Sequence, residues 1–91
     1  MSNDEILNRL YRKHTSWVLM AERMMPLYYS MTAEDVVQEV YLKIYQELGS
    51  KKLKSTTIII DGQPNYAIVY LRIRNIIADM MRTEKSSTPL T

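Results

Sequence analysis

The stretch from Thr32 to Gly49, TAEDVVQEVYLKIYQELG, constrains the fold of this 91-residue chain more than any other. Thr32 is a preferred N-cap residue, and Asp35 resembles the acidic partner of a capping box. Because an α-helix turns by about 100° per residue, its apolar residues fall on one side. These residues are Val37, Val40, Tyr41, Ile44 and Leu48. Gly49 follows as the expected C′ residue. The stretch therefore predicts an amphipathic helix that packs on a core.

A first helix is predicted ahead of this stretch. It begins at Ser2 or Asn3 and ends near Met25, because Pro26 cannot continue a helix. Its apolar face repeats every three or four residues. The members of that face are Ile6, Leu10, His14, Trp17, Ala21 and Met24. We expect His14 to be a buried, hydrogen-bonded core residue.

A third helix is predicted after the turn signal Asp61-Gly62. It opens at Pro64 or Asn65 and runs to about Arg82. Its apolar face comprises Tyr66, Val69, Tyr70, Ile73, Ile77 and Met80. The two tyrosines of this set are accordingly expected to face the core.

Together these segments predict an all-α fold, a compact three-helix bundle with a long loop between helices 2 and 3. The helical domain covers residues 1–82, and residues 83–91 form a disordered polar tail. The loop, GSKKLKSTTIIID, is long for a helical domain. Its isoleucines are expected to cover one end of the core.

Composition excludes several classes of protein. The chain has no cysteine, so disulfides and thiolate metal sites are excluded. No stretch approaches the roughly 20 apolar residues that cross a bilayer, and the first ten residues do not resemble a signal peptide. We therefore expect a cytoplasmic protein without a membrane partner.

No catalytic constellation stands out either. Glu34, Asp35 and Glu39 lie on one helix without a ligand-bearing loop, so a solvated or partner-binding face is favoured over a metal site. The sequence has two glycines and no phosphate-binding loop. We expect a binding module that is not an enzyme and that uses no metal or other cofactor.

Charge is distributed unevenly along the chain. Residues 1–48 carry five Lys/Arg and seven Asp/Glu, a net charge of −2, and residues 49–91 carry seven and three, a net charge of +4. The basic half is a candidate for nucleic-acid binding. The acidic half contains the middle helix, whose outer side collects Asp35, Gln38, Glu39, Leu42 and Gln46. This outer side fits either an ordinary solvated face or a small interface with an apolar centre and a polar rim.

Two motifs resemble a known family. AEDVVQEVYLKIYQEL resembles conserved region 2.2 of the sigma-70 family of transcription factors, above all its compact extracytoplasmic-function group. YLRIRNIIADMMR resembles region 2.3–2.4 of the same family. The residues at the positions of that motif are Arg74, Asn75, Asp79 and Arg82. The resemblance covers about Asp4 to Arg82.

The resemblance implies two binding surfaces. Asp35, Gln38 and Glu39 would contact the clamp-helix coiled coil of the largest subunit of bacterial RNA polymerase, with Leu42 packed between them. Single-stranded DNA of the −10 promoter element would be contacted by basic and polar residues. The candidates are Lys51, Lys52, Lys54, Arg72, Asn75 and Arg82. For Asp79 and Arg82, an i,i+3 surface pair is an equal alternative to a DNA role.

The chain also departs from the family. These 91 residues show no counterpart of region 4, which reads the −35 element, and the loop before the third helix does not match the usual connection. We therefore expect a bacterial or phage region 2-like subunit of a split or minimal sigma factor, with region 4 supplied by a separate chain. The alternatives are a polymerase-binding inhibitor or co-regulator that does not read promoters, and a phage helical DNA-binding or assembly adaptor.

Overall fold

Helices make up most of the computed structural model, which describes residues 1–25 and 31–87. Within these residues the elements are α1 (Asn3–Tyr11), α2 (His14–Met24), α3 (Ala33–Gly49), α4 (Ser55–Ile58), β1 (Ile59–Ile60), β2 (Gln63–Pro64) and α5 (Tyr66–Ser87). The mostly helical domain is as predicted. The three-helix bundle is wrong, because the first predicted helix is two helices and the predicted loop contains a short helix and a hairpin.

The break between α1 and α2 lies at Arg12 and Lys13. The backbone of Lys13 leaves the helical region (φ −110°, ψ 22°), and its N–H donates to the carbonyl of Leu10 at 3.0 Å. The indole Nε1 of Trp17 donates to the same carbonyl at 2.8 Å. In a continuous helix that carbonyl would accept from the N–H of His14. The buried Trp17 therefore replaces a helical hydrogen bond, which satisfies the backbone at the break.

The core lies where α2, α3 and α5 pack against one another, with α1 covering part of α3. Most of the predicted apolar faces are buried there: Ile6, Leu10, Trp17 and Ala21, then Val37, Val40, Tyr41, Ile44 and Leu48, then Val69, Ile73, Ile77 and Met80. The exceptions are His14 and Met24, which are only partly buried, and Tyr66 and Tyr70, which are 46% and 44% exposed. The predicted core-facing position of the two tyrosines is wrong. The core-facing side of α5 is instead completed by Ile76.

Both ends of α3 have defined caps. The Thr32 hydroxyl accepts from the Asp35 N–H at 3.1 Å, and the Asp35 carboxylate accepts from the Thr32 N–H at 3.2 Å, so the predicted capping box is confirmed. Gly49 is not the C′ residue. It is the last residue of α3, Ser50 is the C-cap, and Lys51 takes the left-handed conformation with φ 64°.

The connection between α3 and α5 is ordered by the β1–β2 hairpin. Its strands are antiparallel and pair Ile59 with Pro64 and Ile60 with Gln63. The two turn residues, Asp61 and Gly62, both have positive φ (53° and 76°), which is the geometry that Asp-Gly favours in two-residue hairpins. Of the loop isoleucines, Ile58 and Ile59 are buried against the core, whereas Ile60 is 51% exposed.

Asn65 joins the hairpin to α5. Its side-chain oxygen accepts from the N–H of Ala67 at 3.1 Å, and its side-chain nitrogen donates to the carbonyl of Thr57 at 3.1 Å. α5 then continues to Ser87, beyond the predicted end near Arg82. The remainder of the predicted tail, residues 88–91, lies outside the described residues. None of the helices in residues 1–25 and 31–87 has the length and apolar character needed to cross a membrane.

Candidate protein-binding and nucleic-acid-binding surfaces

The outer face of α3 carries the residues that the resemblance assigns to polymerase. Asp35, Gln38 and Glu39 are exposed, and Leu42 is 50% exposed, all on the side away from the core. Tyr45, 46% exposed, lies one turn beyond Leu42 and extends the apolar centre of this face. Sequence reasoning missed Tyr45, although the same helical spacing places it three residues after Leu42. We call these five residues the α3 outer face.

The polar groups of this face present mainly hydrogen-bond acceptors to solvent. One carboxylate oxygen of Asp35 is engaged in the capping box. Gln38 donates through Nε2 to Glu34 Oε1 at 3.3 Å, which leaves its own carbonyl oxygen outward. Glu39 makes no hydrogen bond or ion pair with the described residues. Such a surface is matched by donors, most strongly by the cationic side chains of lysine and arginine.

His14 holds the start of α3 against α2. Its Nε2 lies 2.7 Å from Glu34 Oε1, and its Nδ1 lies 2.7 Å from the Tyr41 hydroxyl. Since a carboxylate only accepts, Nε2–H donates to Glu34. In the neutral imidazole Nδ1 is then the acceptor, and the Tyr41 O–H donates to it. Burial raises the pKa of the Tyr41 hydroxyl, with smaller contributions from Tyr11 and Glu34. His14 is thus hydrogen-bonded as predicted, at an edge of the core where it remains partly exposed.

The three candidate lysines lie beyond the other end of α3. Lys51, Lys52 and Lys54 are all exposed in the turn between α3 and α4. At about 1.5 Å per residue, the length of α3 separates Asp35 from Lys51 by about 24 Å. The acidic and lysine-rich surfaces therefore occupy opposite ends of the same helix.

The candidate residues on α5 are not equally available to DNA. Arg72 Nη2 lies 3.0 Å from Glu47 Oε2, an ion pair between α5 and α3 whose contact does not have hydrogen-bond geometry. Arg82 forms an ion pair with Asp79 one turn earlier, which is the alternative that the sequence left open. Asn75 is exposed. Arg72 lies near the lysine-rich turn, whereas Arg82 is about 15 Å further along α5, so the structure does not gather the six candidates into one site.

Two tyrosines add an aromatic surface on the side of α5 that faces α2. The Tyr66 ring packs on Trp17 with centroids 4.9 Å apart and planes at 59°, so it is held in place while remaining half exposed. Tyr70, one turn later, borders a shallow cleft of about 540 Å³ that also contains Arg23 and Met20. Exposed rings beside a cation are the elements used to bind unpaired bases and their phosphates.

Among the described residues, no three Asp, Glu or His side chains come together as a metal site. Comparison of the chain with protein-family models, with curated proteins and with solved structures gives no match. Fold and surfaces together define a small, mostly helical domain with an acidic, apolar-centred helix face and separate basic and aromatic surfaces.

Proposed function

We propose that this chain is a transcription initiation module, the region 2-like subunit of a split or minimal sigma factor. It docks on bacterial RNA polymerase and contacts −10 promoter DNA. The observation that carries the proposal is the α3 outer face, where the acceptors of Asp35, Gln38 and Glu39 precede an exposed apolar pair, Leu42 and Tyr45, on the same side of the helix. This is the helix whose sequence resembles region 2.2 of the sigma-70 family.

The chemistry of the α3 outer face supports a basic helical partner. Leu42 and Tyr45 lie at i and i+3, so they form one short apolar ridge along the helix. The acceptors that precede this ridge on the same side of the helix would pair with arginine or lysine side chains next to an apolar seam on the partner. The clamp-helix coiled coil of the largest polymerase subunit is the partner that the resemblance implies.

The DNA-binding part of the proposal is supported by Lys51, Lys52 and Lys54 and by Asn75, which are all exposed. Tyr66 and Tyr70 strengthen it, because half-exposed rings can stack on unpaired bases. Arg72 is the least favourable of the assigned residues, since its ion pair with Glu47 would have to be weakened before it could contact a phosphate.

A pull-down with purified core RNA polymerase tests the docking. The variant Gln38→Ala/Glu39→Ala should fold normally and lose most of its capture, because both residues are exposed and neither packs in the core. The matched control is Asn8→Ala/Glu22→Ala, which also removes one exposed amide and one exposed carboxylate, from α1 and α2. Equal capture by the wild type and both variants would refute the assigned surface.

One observation favours a second candidate, a polymerase-binding inhibitor or co-regulator that does not read promoters. Two of the six residues assigned to DNA, Arg72 and Arg82, already have carboxylate partners. The same polymerase complex distinguishes the two functions. A promoter-reading subunit should give the complex salt-sensitive binding to −10 DNA, whereas an inhibitor would be captured without adding such binding.

A further inference from the structure

Three cations converge where the end of α1 meets the hairpin turn. Arg9, Arg12 and Lys13 line a cleft of about 270 Å³ together with Gly62, Gln63 and Pro64. This cleft lies apart from the lysine-rich turn after α3, and no motif of the sequence points to it. It is formed only because the hairpin folds back onto α1, some fifty residues earlier in the chain.

The position of Arg9 is set by the hairpin. Its Nη1 donates to the carbonyl of Gly62 at 2.7 Å. A Cβ added at Gly62 would lie 3.3 Å from the same nitrogen, so the turn and the guanidinium are in close contact. One guanidinium nitrogen is used by this hydrogen bond, and the remaining N–H groups of the fork are left to bind a ligand in the cleft.

The positive charge of the cleft is not balanced locally. Neither Arg9, Arg12 nor Lys13 forms an ion pair with a carboxylate of the described residues. Arg72 and Arg82 differ from these three cations, because each forms an ion pair with a carboxylate. Three cations around one concave space whose lining contains no carboxylate repel one another and favour a bound anion.

The aromatic ring of Tyr66, which lies next to the cleft, indicates which kind of anion the cleft binds. Lys13 Nζ lies 5.9 Å from the centroid of the Tyr66 ring, within the range of a cation–π contact. The cleft therefore adjoins a half-exposed ring that is held in place by Trp17. A cationic groove next to a stacking platform is the arrangement that binds a single strand of nucleic acid through its phosphates and bases.

We propose that the cleft formed by Arg9, Arg12, Lys13 and the Gly62 turn binds a backbone phosphate of a single nucleic-acid strand that passes over Tyr66. This inference rests on the proposed function, to which it adds a second phosphate contact on the α1 side of the molecule. Arg9 and Arg12 supply guanidinium donors, and Lys13 supplies a point charge between the phosphate and the ring.

Salt dependence tests the site. The full chain is titrated against a fluorescein-labelled strand of twelve thymidines, by anisotropy, between 50 and 300 mM sodium chloride. Each phosphate contact to a single strand contributes about 0.7 to the slope of log K against log salt, so losing this one contact in Arg12→Gln/Lys13→Gln should reduce that slope by about 0.7. Arg12→Gln alone changes one exposed side chain and should reduce the slope by a smaller amount, because Arg9 and Lys13 remain at the phosphate.

Lys43→Gln is the matched control, because Lys43 is exposed on α3, away from the cleft, and its loss removes the same charge. An unchanged slope in both cleft variants, a change as large in the control, or no measurable binding by the wild type would each overturn the site. Inorganic phosphate at matched ionic strength should displace the strand only at millimolar concentration. Displacement at micromolar phosphate would show a site for free phosphate and would also overturn the assignment.

Polymerase capture by the same proteins separates this inference from the proposed function. Intact capture with an unchanged slope in the cleft variants would refute the cleft alone. A reduced slope in a chain that does not capture polymerase would refute the proposed function and leave the cleft supported.

Discussion

Trp17, fully buried in α2, donates its indole N–H to the backbone carbonyl of Leu10, the last core residue of α1, at 2.8 Å. This hydrogen bond crosses the break between the two helices. The apolar spacing continues through the break, from Leu10 on α1 to Trp17 on α2. The side chain of Trp17 also supports the Tyr66 ring.

Replacing this indole should destabilise the fold. Trp17→Phe removes the donor to the Leu10 carbonyl and leaves a partly filled space in the core, so the free energy of unfolding should fall by about 1–3 kcal/mol. Urea unfolding followed by circular dichroism measures the loss. The control is Leu19→Ala on the half-exposed side of α2, which should cost less. Equal losses would contradict the assigned role of Trp17.

The capping box and the docking role of Asp35 are separable. Asp35→Asn keeps an oxygen that accepts from the Thr32 N–H but removes the negative charge, so the melting temperature should change little while polymerase capture weakens. Thr32→Ala should show the reverse, a loss of about 1 kcal/mol in unfolding free energy with capture retained. Thermal melts and the pull-down measure both effects. Parallel changes in stability and capture would contradict the separation.

Replacing each of the two glycines by alanine should change the free energy of unfolding in opposite directions. Gly62 has φ 76°, and a Cβ there would lie 3.3 Å from Arg9 Nη1, so Gly62→Ala should lower the unfolding free energy by about 1–3 kcal/mol. Gly49 is helical with open space around it, so Gly49→Ala should raise the unfolding free energy by about 0.5–1 kcal/mol. Urea unfolding of both variants measures the sign. A destabilised Gly49→Ala would contradict the observed end of α3.

The ion pair of Arg72 with Glu47 should contribute to stability more than to DNA binding. Both side chains are about three-quarters buried, and a double-mutant cycle with Arg72→Ala and Glu47→Ala should give a coupling energy of about 0.5–1 kcal/mol. Arg72→Ala should change the salt slope of strand binding less than Lys52→Ala does. A larger effect of Arg72→Ala on the slope would assign Arg72 to the DNA surface instead.

Alkaline pH should weaken the fold through Tyr41. Its pKa is raised in the folded protein by burial, so the folded state keeps the proton at a pH where the unfolded chain, with a pKa near 10.0, releases it. The contribution is fully present below about pH 10 and is lost as the pH rises towards the folded pKa. In Tyr41→Phe, urea unfolding should show a stability difference from the wild type that shrinks above pH 10. A difference independent of pH would contradict the raised pKa.

The sequence pattern was sufficient to predict those features that depend on residues close together in the chain. Thr32 with Asp35 predicted the start of α3, and the Asp61-Gly62 pair predicted a turn, because caps and turns depend on residues only a few positions apart. The pairing of the two strands that flank this turn was not predicted. The spacing of Val37, Val40, Ile44 and Leu48 predicted the buried side of α3, which also depends on residues close together in the chain. That spacing also predicted the exposure of Asp35, Gln38, Glu39 and Leu42 on the opposite side.

Only the tertiary structure decided the features that depend on distant partners. The break at Lys13 depends on a donor from Trp17, and the apolar spacing runs through it unchanged, so periodicity gave no sign of it. Tyr66 and Tyr70 share a helical face with core residues but remain 46% and 44% exposed beside α2, because burial depends on what packs opposite a residue as well as on its angle around a helix. Arg9 donates to the carbonyl of Gly62, and Arg72 pairs with Glu47, over sequence separations that no local rule covers. The sequence by itself determined the start and the buried side of α3 and the turn at Asp61-Gly62, since caps, turns and helical faces depend on neighbours along the chain. The break between α1 and α2, the hairpin and the pairing of Arg9 with Gly62 and of Arg72 with Glu47 were decided by the packing of elements far apart in sequence.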